Sequence, residues 1–144
     1  MIRPADTPDA AAMAEVLSGW IDETPWMPRV HTREEDLLFC QKLLNSHEVW
    51  VVDVPQGFGF LARQGDSIDS HYLSPDLRRK GWGAALLAAV QQDRDALSLW
   101  TFQANTDALR FYEANNFHIS DVTNGAGNAE KLPDYLMKWS RVSQ

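Results

Sequence analysis

Two hydrophobic rhythms alternate along this chain. Residues 10–21 place Ala10, Met13, Ala14, Leu17, Trp20 and Ile21 three and four positions apart, the spacing of one helix face. Asp6 or Thr7 caps this stretch, and Pro8 sits just inside it, where a missing N–H costs nothing. Thr32 and Glu35 form a capping box that opens a second helix, running to about Leu44. Residues 24–31 between the two helices make a proline-broken loop that carries Trp26. Residues 1–5 read as a short first strand. Three β-rich runs, 49–52, 58–62 and 67–73, are separated by Pro55-Gln56-Gly57 and Gln64-Gly65-Asp66, the pattern of an antiparallel meander. A helix then runs from Gly83 to about Asp93, and a parallel strand at 97–102 follows by a right-handed crossover. Asn105 caps another helix, and 117–122 and 135–139 close the chain as strands. The turn-rich 124–128 between them is expected to be mobile. The order is β-α-α-β-β-β-α-β-α-β-β, and no repeat, low-complexity tract or linker divides residues 1–144 into two domains.

Composition narrows the class. An apolar fraction of 44% and a charged fraction of 23% are those of a soluble globular protein, and 144 residues suffice for one core. No apolar run reaches membrane-span length, and residues 1–6 carry no secretion-signal core. The single cysteine, Cys40, excludes an internal disulfide and reads as a buried helix residue rather than a nucleophile. These features set the expectation of a cytoplasmic protein. The net charge of −7 argues against duplex nucleic acid, since the only basic cluster is Arg78, Arg79 and Lys80. It would favour a cationic partner such as an amine.

The segment Leu73-Ser74-Pro75-Asp76-Leu77-Arg78-Arg79-Lys80-Gly81-Trp82-Gly83-Ala84 ends a strand, turns through a basic glycine loop and enters a helix. The first N–H groups of a helix lack intrahelical partners, and the helix dipole draws anions to them. No Gly-Lys-Ser/Thr follows, and a third glycine is missing, so neither the triphosphate loop nor the dinucleotide fingerprint fits. The spacing Arg78-x-x-Gly81-x-Gly83 instead resembles the acyl-CoA-binding segment of the GNAT N-acetyltransferase superfamily. Downstream, Asn105-Thr106-Asp107-Ala108-Leu109-Arg110-Phe111-Tyr112 with Phe117 resembles that family's Asn-x-x-Ala-x-x-Phe-Tyr-x-x-x-Gly-Phe. Asn116 stands where the family has glycine, a position whose left-handed angles asparagine tolerates. The specific likeness covers residues 48–117.

The resemblance implies an α+β, three-layer GNAT fold with a mixed sheet of about seven strands. Its fourth and fifth strands, 68–73 and 97–102, would splay into a V. It also implies an acetyl-CoA-dependent N-acetyltransferase acting on an amine, with acetyl-CoA as co-substrate and no metal. Backbone groups of His71, Tyr72 and Leu73 would line the pantetheine arm, and a bulge near Leu73 would aim its N–H at the thioester oxygen. Arg78, Arg79, Lys80, Gly81, Trp82, Gly83 and Ala84 would hold the pyrophosphate. Asn105, Ala108, Phe111 and Tyr112 would face the arm from the other side, with Tyr112 as general acid. The general base stays open among His71, Asp69, His31, Glu23 and water. One branch, the ribosomal-protein N-terminal acetylases, carries a glutamate where this chain has Trp100. Trp20, Glu23, Trp26, Met27, His31 and Tyr135 are the candidate acceptor residues. Family members are often homodimers. A non-catalytic acyl-CoA-binding module on the same fold, and an unrelated α/β domain with another phosphate ligand, are the alternative readings.

Overall fold

Adjacent residues of the central strands point to opposite faces, and both faces are covered. The structure, a computed structural model, describes residues 2–141; Met1, counted above in the first strand, lies outside them. The elements are β1 (Ile2–Pro4), α1 (Ala10–Glu23), α2 (Arg33–Ser46), β2 (Glu48–Val54), β3 (Gly57–Gln64), β4 (Ser67–Leu73), α3 (Trp82–Gln91), β5 (Ala96–Phe102), α4 (Thr106–Ala114), β6 (His118–Thr123) and β7 (Asp134–Ser140). Short 3₁₀ turns at Thr7–Asp9 and Pro75–Leu77 precede α1 and the basic loop. All seven strands join one sheet in the order β1-β2-β3-β4-β5-β7-β6. The insertion of β7 between β5 and β6 has no signal in the hydrophobic pattern.

One face buries Met13, Leu17, Cys40, Leu43, Val51 and Phe60 beneath α1 and α2. The other buries Val52, Leu61, Leu86, Val90, Leu99 and Met137 beneath α3 and α4. Val51 and Val52, and Phe60 and Leu61, therefore divide between the two cores, which is why β3 reads as a continuous apolar run. Cys40 is fully buried as expected, and burial, with Asp36 nearby, pushes its thiol up to about 12.

Caps fix the element ends. Thr32 accepts from the Glu35 N–H at 3.1 Å while Glu35 accepts from the Thr32 N–H at 2.8 Å. Asn116 takes φ 71°, and the Phe117 N–H reaches the Tyr112 carbonyl at 2.9 Å, a Schellman closure of α4. Helix α3 stops at Gln91, short of the expected Asp93. Its last carbonyls are taken by side chains: Arg63 donates to Val90 O at 2.8 Å, and Arg141 donates to Gln91 O. The 124–128 connection, expected to be mobile, is instead knitted together. The Gly125 N–H donates to Thr123 Oγ1 at 3.1 Å, the Ala126 N–H to Asn124 Oδ1 at 3.0 Å, and Asn128 Nδ2 to Leu132 O at 2.8 Å.

The sheet opens in its middle. Strands β4 and β5 run parallel but pair only at Ser67↔Ser98 and Ile68↔Leu99. Beyond Ile68 they part, giving the expected V. The bulge expected near Leu73 lies elsewhere. Leu73 pairs regularly with Gly59, and the register slips where Ile68 faces Arg63 but Ser70 faces Ala62, leaving Asp69 as the extra residue. At this point β4 loses β5 as a partner and keeps its antiparallel pairing with β3 alone. The Ser74 N–H bonds Phe58 O at 2.9 Å, so by alternation the backbone of Tyr72 faces β3 while His71 and Leu73 face the open gap.

Candidate active site

The gap between β4 and β5 widens toward the start of α3 into a cavity of about 850 Å³. Gly81 is the N-cap of α3, with φ 89°, a left-handed angle that glycine adopts without strain. The Ala85 N–H is the first to reach a helix carbonyl, Gly81 O at 3.0 Å. The N–H groups of Trp82, Gly83 and Ala84 are left without intrahelical partners at the rim, an anion site in the making. Arg79, also left-handed at φ 62°, is exposed there, as is Lys80.

Two residues of the loop have other duties. Arg78 donates through Nε to Leu73 O at 3.1 Å and through Nη2 to the Glu23 carboxylate at the end of α1. Glu23, read from the sequence as an acceptor residue, is therefore the partner of a cofactor-loop residue. Gly83 is buried, and a Cβ there would lie 3.1 Å from Phe111 Cζ, so this glycine lets α3 close on α4. Trp82 packs on the core rather than on the cavity.

Opposite the loop stands α4. Asn105 Oδ1 accepts from the Ala108 N–H at 3.2 Å, capping the helix. Its amide NH₂ has no protein partner among the described residues, and Asn105, Ala108, Phe111 and Tyr112 all line the cavity. Tyr112 is 8% exposed, and its hydroxyl lies 3.0 Å from His71 Nδ1. Burial, with a smaller contribution from Tyr72, raises the Tyr112 phenol well above its ordinary value. Burial lowers the His71 imidazole to about 4, only partly offset by the nearby Gly83 carbonyl. Nε2 of His71 makes no hydrogen bond of full geometry. A neutral imidazole held against Tyr112 is a poor collector of amine protons near neutral pH.

The expected acceptor residues divide. Trp20 meets Trp26 edge-on at 5.8 Å and Tyr72 at 5.4 Å, and Trp26 meets Phe102 at 5.9 Å, an aromatic wall beside the gap. Burial, with smaller contributions from Glu130, Cys40 and Asp36, pushes the Tyr72 phenol up to about 12, and the Phe60 ring lies 5.8 Å from it. Met27 is half-buried in the same loop, its N–H bonded to Thr24 O at 3.1 Å. His31 points outward with Glu35 3.9 Å away, and Tyr135 packs on the α3–α4 face of the sheet, so neither joins the wall. Sequence reasoning passed over Phe102 and made nothing of Trp100 beyond the missing glutamate. Both stand at alternate positions of β5 on the face away from Leu99, a parity that was available in the sequence.

Comparison with known proteins agrees with this architecture. The family profile described as Acetyltransferase (GNAT) domain matches residues 45–119, just over half of the chain. The chain is 29% identical over 148 residues to the peptidyl-lysine N-acetyltransferase YiaC of Escherichia coli strain K12, covering 99% of this chain and 98% of that one. The apo-form solution structure of YjaB from Escherichia coli superposes with TM-score 0.79 at 19% identity, covering 100% and 98% of the two chains. The structure of yncA from Salmonella typhimurium with its cofactor acetyl-CoA superposes with TM-score 0.72 at 20% identity, covering 100% and 95%. The splayed sheet, the glycine-capped α3 and the Asn105-to-Tyr112 helix face are accounted for together by one conclusion: the chain belongs to the GNAT acetyltransferase family.

Proposed function

We propose that this protein transfers the acetyl group of acetyl-CoA to a primary amine, the ε-amine of a peptidyl lysine, by direct attack with both substrates bound. The observation that carries the reading is the gap itself. Strands β4 and β5 part after two registers, and the backbone edge of His71 and Leu73 is left facing a cavity that ends at the uncapped N–H groups of α3. A pantetheine arm with two amides satisfies such an edge as a short added strand. Trp82, Gly83 and Ala84 offer N–H groups to the pyrophosphate, with Arg79 and Lys80 adding charge. The Leu73 carbonyl already has Arg78 as its donor, so Leu73 turns its N–H to the thioester oxygen and stabilises developing negative charge there. Tyr112, at the other wall, protonates the departing thiolate. The lysine acceptor is drawn from the likeness to YiaC and from the acidic balance of the chain.

Release of free thiol from acetyl-CoA in the presence of lysine-containing peptides tests the reading. Wild-type protein should turn over, and Tyr112→Phe should lower kcat on the order of 100-fold while acetyl-CoA affinity stays within a few-fold. Tight acetyl-CoA binding without turnover on any amine would favour the non-catalytic module instead.

A further inference from the structure

The loop between α1 and α2 is anchored at one residue and reaches across the gap with another. Pro25 and Pro28 restrict its backbone, and Thr24 Oγ1 donates back to Trp20 O at 2.5 Å, so the chain leaves α1 in a fixed direction. Arg29 is the anchor. Its guanidinium donates to Asp22 Oδ1 at 2.9 Å and Ser18 O at 3.1 Å on α1, to His31 O at 3.0 Å, and to Asp36 Oδ2 at 2.9 Å on α2. Ser18 Oγ donates to the same Asp36 oxygen, and the Asp36 side chain is only 4% exposed. Losing Arg29 would leave that buried carboxylate without a countercharge, which makes the anchor stiff. Trp26, three residues earlier, projects from the loop over the gap. Its ring lies 5.8 Å from Trp20 and 5.9 Å from Phe102 at the end of β5, and Trp20 lies 5.4 Å from Tyr72 of β4. Four rings therefore span the V between two strands that do not pair beyond Ile68 and Leu99. Trp20, Tyr72 and Phe102 line a cavity of about 100 Å³ at the closed end of the gap, which His71, Asn105 and Tyr112 share with the larger cavity. Trp26 does not line it; it is wedged behind two rings that do.

We infer that Trp26, pinned by Arg29, sets the width of the acceptor end: it holds Trp20 and Phe102 at a fixed separation that admits an amine on an unbranched carbon and turns away an amine on a branched one. This rests on the acetyl-transfer reading above and narrows its acceptor. An ε-amine brings only methylenes past the rings, and these gain by leaving water. The α-amine of a peptide brings a side chain and an amide group on the carbon next to the nitrogen, so it needs a wider passage and carries polar atoms into an aromatic wall. Backbone pairing cannot set that width, because β4 and β5 have already parted where Tyr72 and Phe102 stand. The separation is left to ring contacts, and the middle ring of the span decides it. Trp26 acts through Trp20 and Phe102, and Arg29 acts through Trp26. Both are positioning residues, and neither lines the cavities where the reacting groups meet.

n-Butylamine and sec-butylamine are isomers that differ only in branching at the carbon bearing the amine. With acetyl-CoA and wild-type protein, kcat/KM from thiol release should favour n-butylamine, and Trp26→Ala should lower that preference on the order of tenfold. Trp26→Phe keeps a ring in the span and should retain most of the preference. Arg29→Lys should shift it in the same direction as Trp26→Ala but less, because an ammonium keeps a charge beside Asp36 and cannot reach Asp22 and Ser18 as well. Acetyl-CoA affinity, measured by calorimetry, should change little in every variant and shows that each is folded. A merely structural role would lower kcat/KM for both amines alike, so an unchanged preference in Trp26→Ala would overturn the inference. A second measurement needs neither turnover nor a variant. In the complex of wild-type protein with coenzyme A, n-butylamine should bind more tightly than sec-butylamine, again by calorimetry. Equal affinity for the two, or no binding of either, overturns the wedge while leaving acetyl-CoA binding, and so the acetyl-transfer reading, intact; failure to bind acetyl-CoA overturns both.

Discussion

His71 contributes two different groups to one place. Its backbone faces the gap, and its imidazole lies 3.0 Å from the Tyr112 hydroxyl. Burial makes the charged imidazolium expensive, which keeps the ring neutral and holds the value near 4. The consequence for stability has a definite sign. The folded-state value lies below the unfolded one of about 6.5, so between about pH 6.5 and 4 the unfolded chain binds the extra proton. Stability is therefore complete above pH 6.5 and is lost as pH falls toward 4, by up to about 3 kcal/mol. His71→Asn keeps a polar partner for Tyr112 and has no proton to take up. Its melting temperature should fall less than that of wild type between pH 7 and pH 4.5, as followed by circular dichroism. An identical pH dependence in the two proteins would mean that His71 is hydrated and titrates normally.

Helix α3 shows how two glycines two residues apart can serve separate ends. Gly81 has open space where a Cβ would sit and a φ of 89°, so its constraint is the backbone angle; Gly83 has ordinary helical angles and Phe111 at 3.1 Å, so its constraint is packing. Gly81→Ala should cost about 1 kcal/mol from the left-handed angle and weaken acetyl-CoA binding by tilting the free N–H groups. Gly83→Val should cost about 1–3 kcal/mol by overpacking α3 against α4, seen as a lower urea midpoint even without ligand. The elements themselves were legible because local chemistry sets them. The Thr32–Glu35 box, the Asn105 cap, the Asn116 closure and the face carrying Ala108, Phe111 and Tyr112 all depend on neighbours within a few residues. What escaped the sequence depends on distant partners. The end of α3 is decided by Arg63 and Arg141, which arrive from β3 and the chain end. The bulge at Asp69 falls where β4 loses β5 and keeps only β3, a pairing between strands far apart in the chain. The pairing of Arg78 with Glu23 joins positions that the family resemblance assigned to two different substrates.

Across the whole molecule the sheet consists of two halves, β1 to β4 and β5, β7, β6, that share only two registers of parallel pairing. Each half is closed by antiparallel neighbours, so the inner edge of β4 beyond Asp69 has no strand to bond. A domain of this size loses stability for every buried backbone group left unpaired, and here the shortfall is confined to the cavity wall. Alternation makes the arrangement testable residue by residue. In the free protein the amide hydrogens of His71 and Leu73 should exchange with solvent far faster than that of Tyr72, which bonds across to β3. Saturating acetyl-CoA should slow His71 and Leu73 on the order of tenfold or more and change Tyr72 little, because the added strand pairs with one edge of β4 only. Uniform slowing of all three would instead report global stabilisation, and a slow Leu73 amide in the free protein would mean that the gap is already filled. The odd-numbered pattern, set by one extra residue at position 69, would tie the chemistry at the thioester to the strand irregularity that aims it.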